Sequence, residues 1–266
     1  MTKQIIVALK DWKRKGAEYC RELEKGNILF LPKMPFSFSK KSPEIFARKA
    51  REFLEQLLPL YAKEWKVGEI SGNEEREGKW QIDAARHVPT HGARILRVFI
   101  NIHPTQAKRW ITSAPFVELV KQFGGKEVPF PSSMRYSLQK RWGRKLKELL
   151  NVTGLKKALR SPYDRFMWRM RNFLRKNREF QETCMKEVWE FPPSSCWLAF
   201  TDQIPHASIE GGSVMQQSFF VPTSALLYPE QSPIGILERL SGRNLVNMEY
   251  FQKLFSEACD EPLTRS

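Results

Sequence analysis

The sequence predicts an α+β protein, a mostly antiparallel sheet or barrel with helices around it. Three observations carry that expectation. Between residues 187 and 222 the chain breaks into short apolar runs, "EVWEF", "CWLAFTD", "HASIEGG" and "VMQQSFFVP", separated by Pro and Gly at hairpin spacing. Upstream, "RILRVFINI" (94–102) is rich in β-branched residues and is stopped by Pro104. Before, between and after these strands lie segments with helical periodicity. No internal repeat, low-complexity tract or linker divides the chain, so a single domain over 1–266 is expected.

Taken in order, residues 8–25 are charged and helical in pattern, and "NILFLP" (27–32) reads as a buried strand ended by Pro32. "SPEIFARKAREFLEQLLPLYAKEW" (42–65) opens with Ser42 as N-cap and Pro43 at the first helical position, and Pro59 should kink or end it. This gives a helical N-terminal region over 1–65. A β core follows over 78–104. "SAPFVELVKQFGG" (113–125) is a short helix capped by Ser113 and stopped by Gly124-Gly125. In 132–151, Met134, Leu138, Trp142, Leu146 and Leu149 form one apolar helical face, and basic residues fill much of the rest. Together these make a helical insert over 113–160. "YDRFMWRMRNFLRKN" (163–177) suits a strand in its first half and also a helix, and it is placed in the β core over 163–222. "SPIGILERL" and "MEYFQKLFSEAC" are expected as C-terminal helices within 233–259.

The charge balance is unusual. With 44 Lys+Arg against 29 Asp+Glu the formal net charge is +15, which calls for an anionic partner: nucleic acid, a membrane surface, or a phosphorylated or carboxylated substrate. The four cysteines are far apart with no CxxC pair, so neither a zinc site nor a disulfide framework is expected. The N-terminal apolar run, "IIVAL", is shorter than a signal-peptide core, and no apolar stretch is long enough to span a bilayer. The expected location is cytoplasmic, peripheral on the inner face of the cytoplasmic membrane.

Histidine is scarce: only His87, His91, His103 and His206. His206 opens a short strand after "TDQIP". A lone His at a strand end is commonly structural, but a partner changes that reading. Gln81-Ile82-Asp83 has the spacing of a strand-borne metal pair, because positions i and i+2 face the same way. Asp83 and His206 would supply two members of a facial triad with open positions, the arrangement of non-haem Fe(II) oxygenases, and Gln81 would stand as the third. In 94–102, Arg97, Phe99 and Asn101 share one strand face and Leu96, Val98 and Ile100 the other. Either that polar face is solvated, or Arg97 grips a carboxylate with its two-pronged guanidinium.

Together, "QIDAARHVPTHGARILRVFINIHP", "SPYDRFMWRMRNFLRKNREFQ", "FPPSSCWLAFTDQIPHASIEGGSVMQQSFFVP" and "SPIGILERLSGRNL" resemble the Kdo hydroxylases. These are Fe(II)- and 2-oxoglutarate-dependent dioxygenases that hydroxylate the Kdo sugar of the lipid A inner core. The resemblance spans residues 80–245, and "FTDQIPHA" with "RILRVF" are its most specific segments. It implies a double-stranded β-helix (jelly-roll) core with flanking N- and C-terminal helices and a basic helical insert. It implies Asp83 and His206 as metal ligands, with Gln81 where the family has His. It implies Fe(II), 2-oxoglutarate and O2 as cofactors, with Arg97 holding the distal carboxylate of 2-oxoglutarate and Asn101 expected beside it. No Arg or Lys follows on the strand after His206, which reads "SVMQQSFF", and this favours Arg97 for that role. The chain departs from the family at Met170-Arg171-Asn172, where a Leu-His-Asp-like stretch would stand.

Gln81 would ligate through a neutral amide oxygen, a weaker donor than imidazole, so reduced iron affinity is expected. His87 or His91 could instead swing in to replace it. The implied partner is an anionic glycolipid, Kdo-lipid A, with membrane contact through the basic insert at Arg141, Arg144 and Lys145. A catalytically impaired member that binds the glycolipid is a second reading. A basic nucleic-acid-binding protein is a third, but no recognised binding motif accompanies the charge, so no nucleic acid and no protein partner is expected.

Overall fold

The computed structural model describes residues 2–7, 12–34, 36, 43–73, 78–84, 89–130 and 160–246. Among them nine strands form two sheets. The strands are β1 (Gln4–Ile6), β2 (Ile28–Leu31), β3 (Lys66–Asn73), β4 (Arg94–Asn101), β5 (Lys108–Thr112), β6 (Glu187–Phe191), β7 (Cys196–Phe200), β8 (His206–Glu210) and β9 (Val214–Val221). The larger sheet runs β1-β2-β7-β4-β9-β3 and the smaller β6-β5-β8. Every pairing is antiparallel except β1 with β2. The helices are α1 (Gly16–Glu24), α2 (Pro43–Leu57), α3 (Pro59–Ala62), α4 (Phe116–Phe123), α5 (Pro162–Lys176), α6 (Arg178–Thr183) and α7 (Pro233–Ser241).

Three apolar layers follow from the two periodicities. On β4, Leu96, Val98 and Ile100 face outward and meet Leu23, Phe46, Leu54 and Leu57 from α1 and α2. Phe99 faces the other way, into a layer shared by both sheets with Trp110, Phe191 and Trp197. There the Phe191 and Trp197 rings stack with centroids 3.9 Å apart, and Phe99 stacks on Trp197 at 5.1 Å. The third layer lies outside the smaller sheet. Phe116 and Leu119 of α4, Phe166, Met170 and Leu174 of α5, and Ile236 and Leu237 of α7 cover Ile111 and Ala207 there.

Several expectations need correction. The N-terminal region is not wholly helical, because β1 and β2 form the edge of the larger sheet. Residues 163–177 are helix, not β core: Phe166, Met170 and Leu174 recur at helical spacing and all are buried. A capping box settles that start, with the Ser161 side chain accepting from the Asp164 N–H and the Asp164 carboxylate accepting from the Ser161 N–H. α4 begins at Phe116 after Pro115, and Ser113, expected as its cap, is buried with its N–H on the Pro205 carbonyl. Pro59 ends α2 and opens α3, and Gly124 closes α4, as the sequence suggests. Strands β3 and β5 have no counterpart in the sequence reading. The basic helix at 132–151, with Arg141, Arg144 and Lys145, the cap Ser42 and the helix at 248–259 lie outside the described residues.

Candidate active site

The segment carrying Gln81 and Asp83 runs antiparallel to β8. Gln81 and His206 exchange N–H···O bonds of 2.9 and 2.8 Å, and the Gly78 N–H reaches the Ser208 carbonyl at 2.7 Å. Directly opposed residues of an antiparallel pair project to the same face, so the Gln81 and His206 side chains are neighbours. Trp80 and Ile82 are 1% and 0% exposed and sit in the outer layer under α4 and α5. Alternation therefore turns Gln81 and Asp83 inward. The Asp83 N–H bonds the Thr201 carbonyl at 2.9 Å, fixing this segment to the end of β7.

His206 is buried, its ring 4.8 Å from that of Trp110. Its Nδ1 lies 2.9 Å from the Ile204 carbonyl oxygen, an acceptor, so Nδ1 carries the proton and Nε2 keeps a lone pair. Asp83 is buried, with Oδ2 2.7 Å from Arg97 Nε. That contact is an ion pair without hydrogen-bond alignment, which leaves Oδ2 a buried acceptor with no aligned donor. Burial pushes the Asp83 carboxyl up, but the Arg97 guanidinium opposes it, and the group sits below the usual carboxylate range. Arg97 also donates to Gln216 Oε1 at 2.9 Å, and Gln216 in turn donates to Ser71 Oγ at 2.9 Å. Gln81 Oε1 accepts from Arg171 Nη2 at 3.2 Å and Arg175 Nη1 at 3.3 Å, both on α5.

The loop 201–205 holds this arrangement in place. Arg94, fully buried, bonds Asp202 Oδ2 through Nε at 2.9 Å and Gln203 Oε1 through Nη2 at 2.6 Å, with its guanidinium 3.9 Å from the Phe200 ring centroid. Breaking such a buried pair costs about 3–5 kcal/mol, because the surviving charge is left uncompensated. Burial raises the Asp202 carboxyl above its ordinary value, and Arg94 opposes it. The "TDQIP" stretch thus carries three duties: Thr201 anchors Asp83, Asp202 and Gln203 bind Arg94, and Ile204 orients His206. Arg94, Asp202 and Gln203 escaped the sequence reading, although paired polar residues between two apolar strands are the signal that marks them.

The structure brings Gln81, Asp83, His206 and Arg97 together. Asn101 is not among them. It lies four residues beyond Arg97, about 13 Å along the strand, and its side chain is committed to the Gln106 and Phe191 carbonyls and the His103 N–H. Nor does His91 replace Gln81: its Nδ1 lies 3.2 Å from Asp164 Oδ2, at the start of α5. His87 lies outside the described residues. Among the described residues no group of three or more His, Cys, Asp and Glu could hold a metal ion. The unaligned Asp83 Oδ2 and the Nε2 lone pair of His206 are an oxygen and an imidazole donor suited to a transition metal. Among the described residues the Gln81 amide oxygen, which two guanidinium groups engage, is the candidate third protein donor.

A family model described as 3-deoxy-D-manno-oct-2-ulosonic acid (Kdo) hydroxylase matches residues 44–244. Among solved structures the chain is similar to "the Kdo hydroxylase KdoO, a non-heme Fe(II) alphaketoglutarate dependent dioxygenase" in complex with succinate and Fe(III). That match has 24% identity, covers 92% of this chain and 97% of the other, and has a TM-score of 0.77. The same enzyme in complex with alphaketoglutarate and Fe(III) matches with 24% identity, 92% and 98% coverage and a TM-score of 0.77. Its apo structure matches with 23% identity, 92% and 98% coverage and a TM-score of 0.76. At these identities the likeness establishes the shared fold. No curated protein matches the chain.

Proposed function

The chain belongs to the Kdo hydroxylase family, and from that premise we propose that it is an Fe(II)- and 2-oxoglutarate-dependent dioxygenase that hydroxylates the Kdo sugar of Kdo-lipid A in lipopolysaccharide biosynthesis. One observation carries the reading: the Asp83 carboxylate and the His206 imidazole converge from the segment at 78–84 and from the start of β8, with His206 Nδ1 on the Ile204 carbonyl so that Nε2 is left to a ligand. Asp83 and His206 would hold the iron, and Gln81 would add a weaker neutral donor. When bound, iron with 2-oxoglutarate and O2 supplies the oxidising chemistry, in which 2-oxoglutarate yields succinate and CO2 and one oxygen atom enters a C–H bond of the sugar.

The protein's part is charge, orientation and exclusion of water. Asp83 contributes one negative charge at the iron, and replacing a neutral imidazole by a neutral amide leaves that balance unchanged. Arg97, half-buried beside Asp83, is suited to the distal carboxylate of 2-oxoglutarate through its fork of donors. Gln216 fixes the guanidinium plane. One step further along β4, Phe99 with Trp110, Trp197 and Phe191 makes a dry wall under the site. The enzyme would work at the inner face of the cytoplasmic membrane, with the basic 132–160 segment, including Arg141, Arg144 and Lys145, on the anionic leaflet.

The amide at position 81 favours a second reading, a family member that binds the glycolipid with impaired catalysis. Release of succinate separates the two. The first reading expects succinate to depend on iron, 2-oxoglutarate and the glycolipid together. Glycolipid binding without succinate would favour the second.

A further inference from the structure

We propose that Arg171 and Arg175 form the site for the carboxylate of the sugar-acid substrate, and that Gln81 Oε1 holds its place in the substrate-free protein. The inference deepens the reading above and rests on its premise that the substrate is a Kdo sugar, an acid by its chemical name. Arg171 and Arg175 are one turn apart on α5, and both aim a terminal nitrogen at a single neutral oxygen, at 3.2 and 3.3 Å. A carboxylate offers two charged oxygens to such a pair, and charge-assisted bonds are roughly twice as strong as neutral ones. Arg175 forms no ion pair with a carboxylate among the described residues. α5 carries five basic residues, Arg165, Arg169, Arg171, Arg175 and Lys176, against the single acid Asp164. That acid is committed to Thr90, His91 and Ser161.

The placement separates two carboxylate duties. Arg97 rises from the inner face of β4 and sits against Asp83, on the co-substrate side. Arg171 and Arg175 come from a helix outside the sheets and reach Gln81, the neighbour of His206.

The test is calorimetric titration of the whole metal-free protein with free 3-deoxy-D-manno-oct-2-ulosonic acid, its methyl ester, and 2-oxoglutarate. The variants are Arg171→Gln, Arg175→Gln and Arg175→Lys, each checked for an unchanged melting temperature. The free acid should bind wild type at least about tenfold more tightly than the ester, as the loss of one charge-assisted contact implies. Each Gln variant should erase most of that difference, Arg175→Lys should retain part of it, and 2-oxoglutarate binding should stay within about twofold. Equal binding of acid and ester by wild type would overturn the proposal. So would variants that lose 2-oxoglutarate binding and keep the acid, which would assign the pair to the co-substrate. Because the titration needs no turnover, a failure to hydroxylate would count against the proposed reaction and leave this site standing.

Discussion

Gln81 is held beside His206 by two backbone hydrogen bonds, so any side chain at position 81 enters the site at the same point. Gln81→His puts a second imidazole there. Even partners outside a metal's own ligand shell are worth about 10- to 100-fold in affinity, so this variant should tighten Fe(II) or Co(II) binding by at least about tenfold. Asp83→Ala should abolish measurable binding by removing the anionic ligand. Metal titration followed by the Co(II) spectrum checks both, and unchanged affinity in the two variants would sink the assignment. That Asp83, His206 and Arg97 lie close together was legible in the sequence, because a period of two and a scarce residue type narrow the choice. Arg171 and Arg175 were not, since only folding brings them to Gln81 across 90 and 94 residues. Asn101 misled because sharing a strand face with Arg97 does not mean sharing a site. Its amide completes the turn at 101–106.

At the scale of elements, α5 decides what reaches position 81, and Asp164 decides where α5 begins. Its carboxylate accepts from the Thr90 N–H at 2.8 Å and the Ser161 hydroxyl at 2.6 Å, and it lies beside His91. Gly92, at φ 91, lets that loop turn: a Cβ there would come within 2.5 Å of Ile234 Cδ1 on α7. Burial pushes the Asp164 carboxyl up, but His91, Ser161 and Thr90 outweigh it and hold it below its ordinary value. The folded protein therefore binds this proton more weakly than the unfolded chain. Its stabilisation is present above the ordinary carboxylate pKa of about 3.9 and is lost as pH falls through the folded value. Asp164→Asn should lower stability at neutral pH by about 1.5–3 kcal/mol and flatten the acid limb of the stability curve. Denaturant melts between pH 3 and 7 read both, and an unaltered acid limb would contradict this account. The helical character of 163–177 was hidden in the sequence by overlapping periods, which the capping box resolves in favour of the helix. The polar, glycine-bearing edge strand β3 gives no period at all.

For the whole molecule, the excess of 44 basic over 29 acidic residues is a surface property and does not specify the fold. Among the described residues no helix is long and apolar enough to cross a membrane, and the membrane contact proposed above is electrostatic. Each Lys or Arg near an anionic leaflet is worth about 1 kcal/mol. Raising salt from 0.1 to 1 M shrinks the screening length from about 10 to 3 Å. Sedimentation with phosphatidylglycerol vesicles should therefore show binding at low salt and release at high salt, and salt-insensitive binding would point to apolar insertion instead. The mostly antiparallel core was foreseen from its hairpin-spaced runs and its two-sheet form only from the family resemblance, while the layering of α4, α5 and α7 outside the smaller sheet needed the structure, because it unites segments far apart in the chain. In the proposed reaction Asp83 and His206 support hydroxylation despite the amide at position 81. Mass spectrometry of Kdo-lipid A after incubation with the protein, Fe(II), ascorbate and 2-oxoglutarate tests it most directly. Wild type should add one oxygen to the Kdo unit and Asp83→Ala none; an unmodified glycolipid with wild type at saturating iron would overturn the proposed reaction.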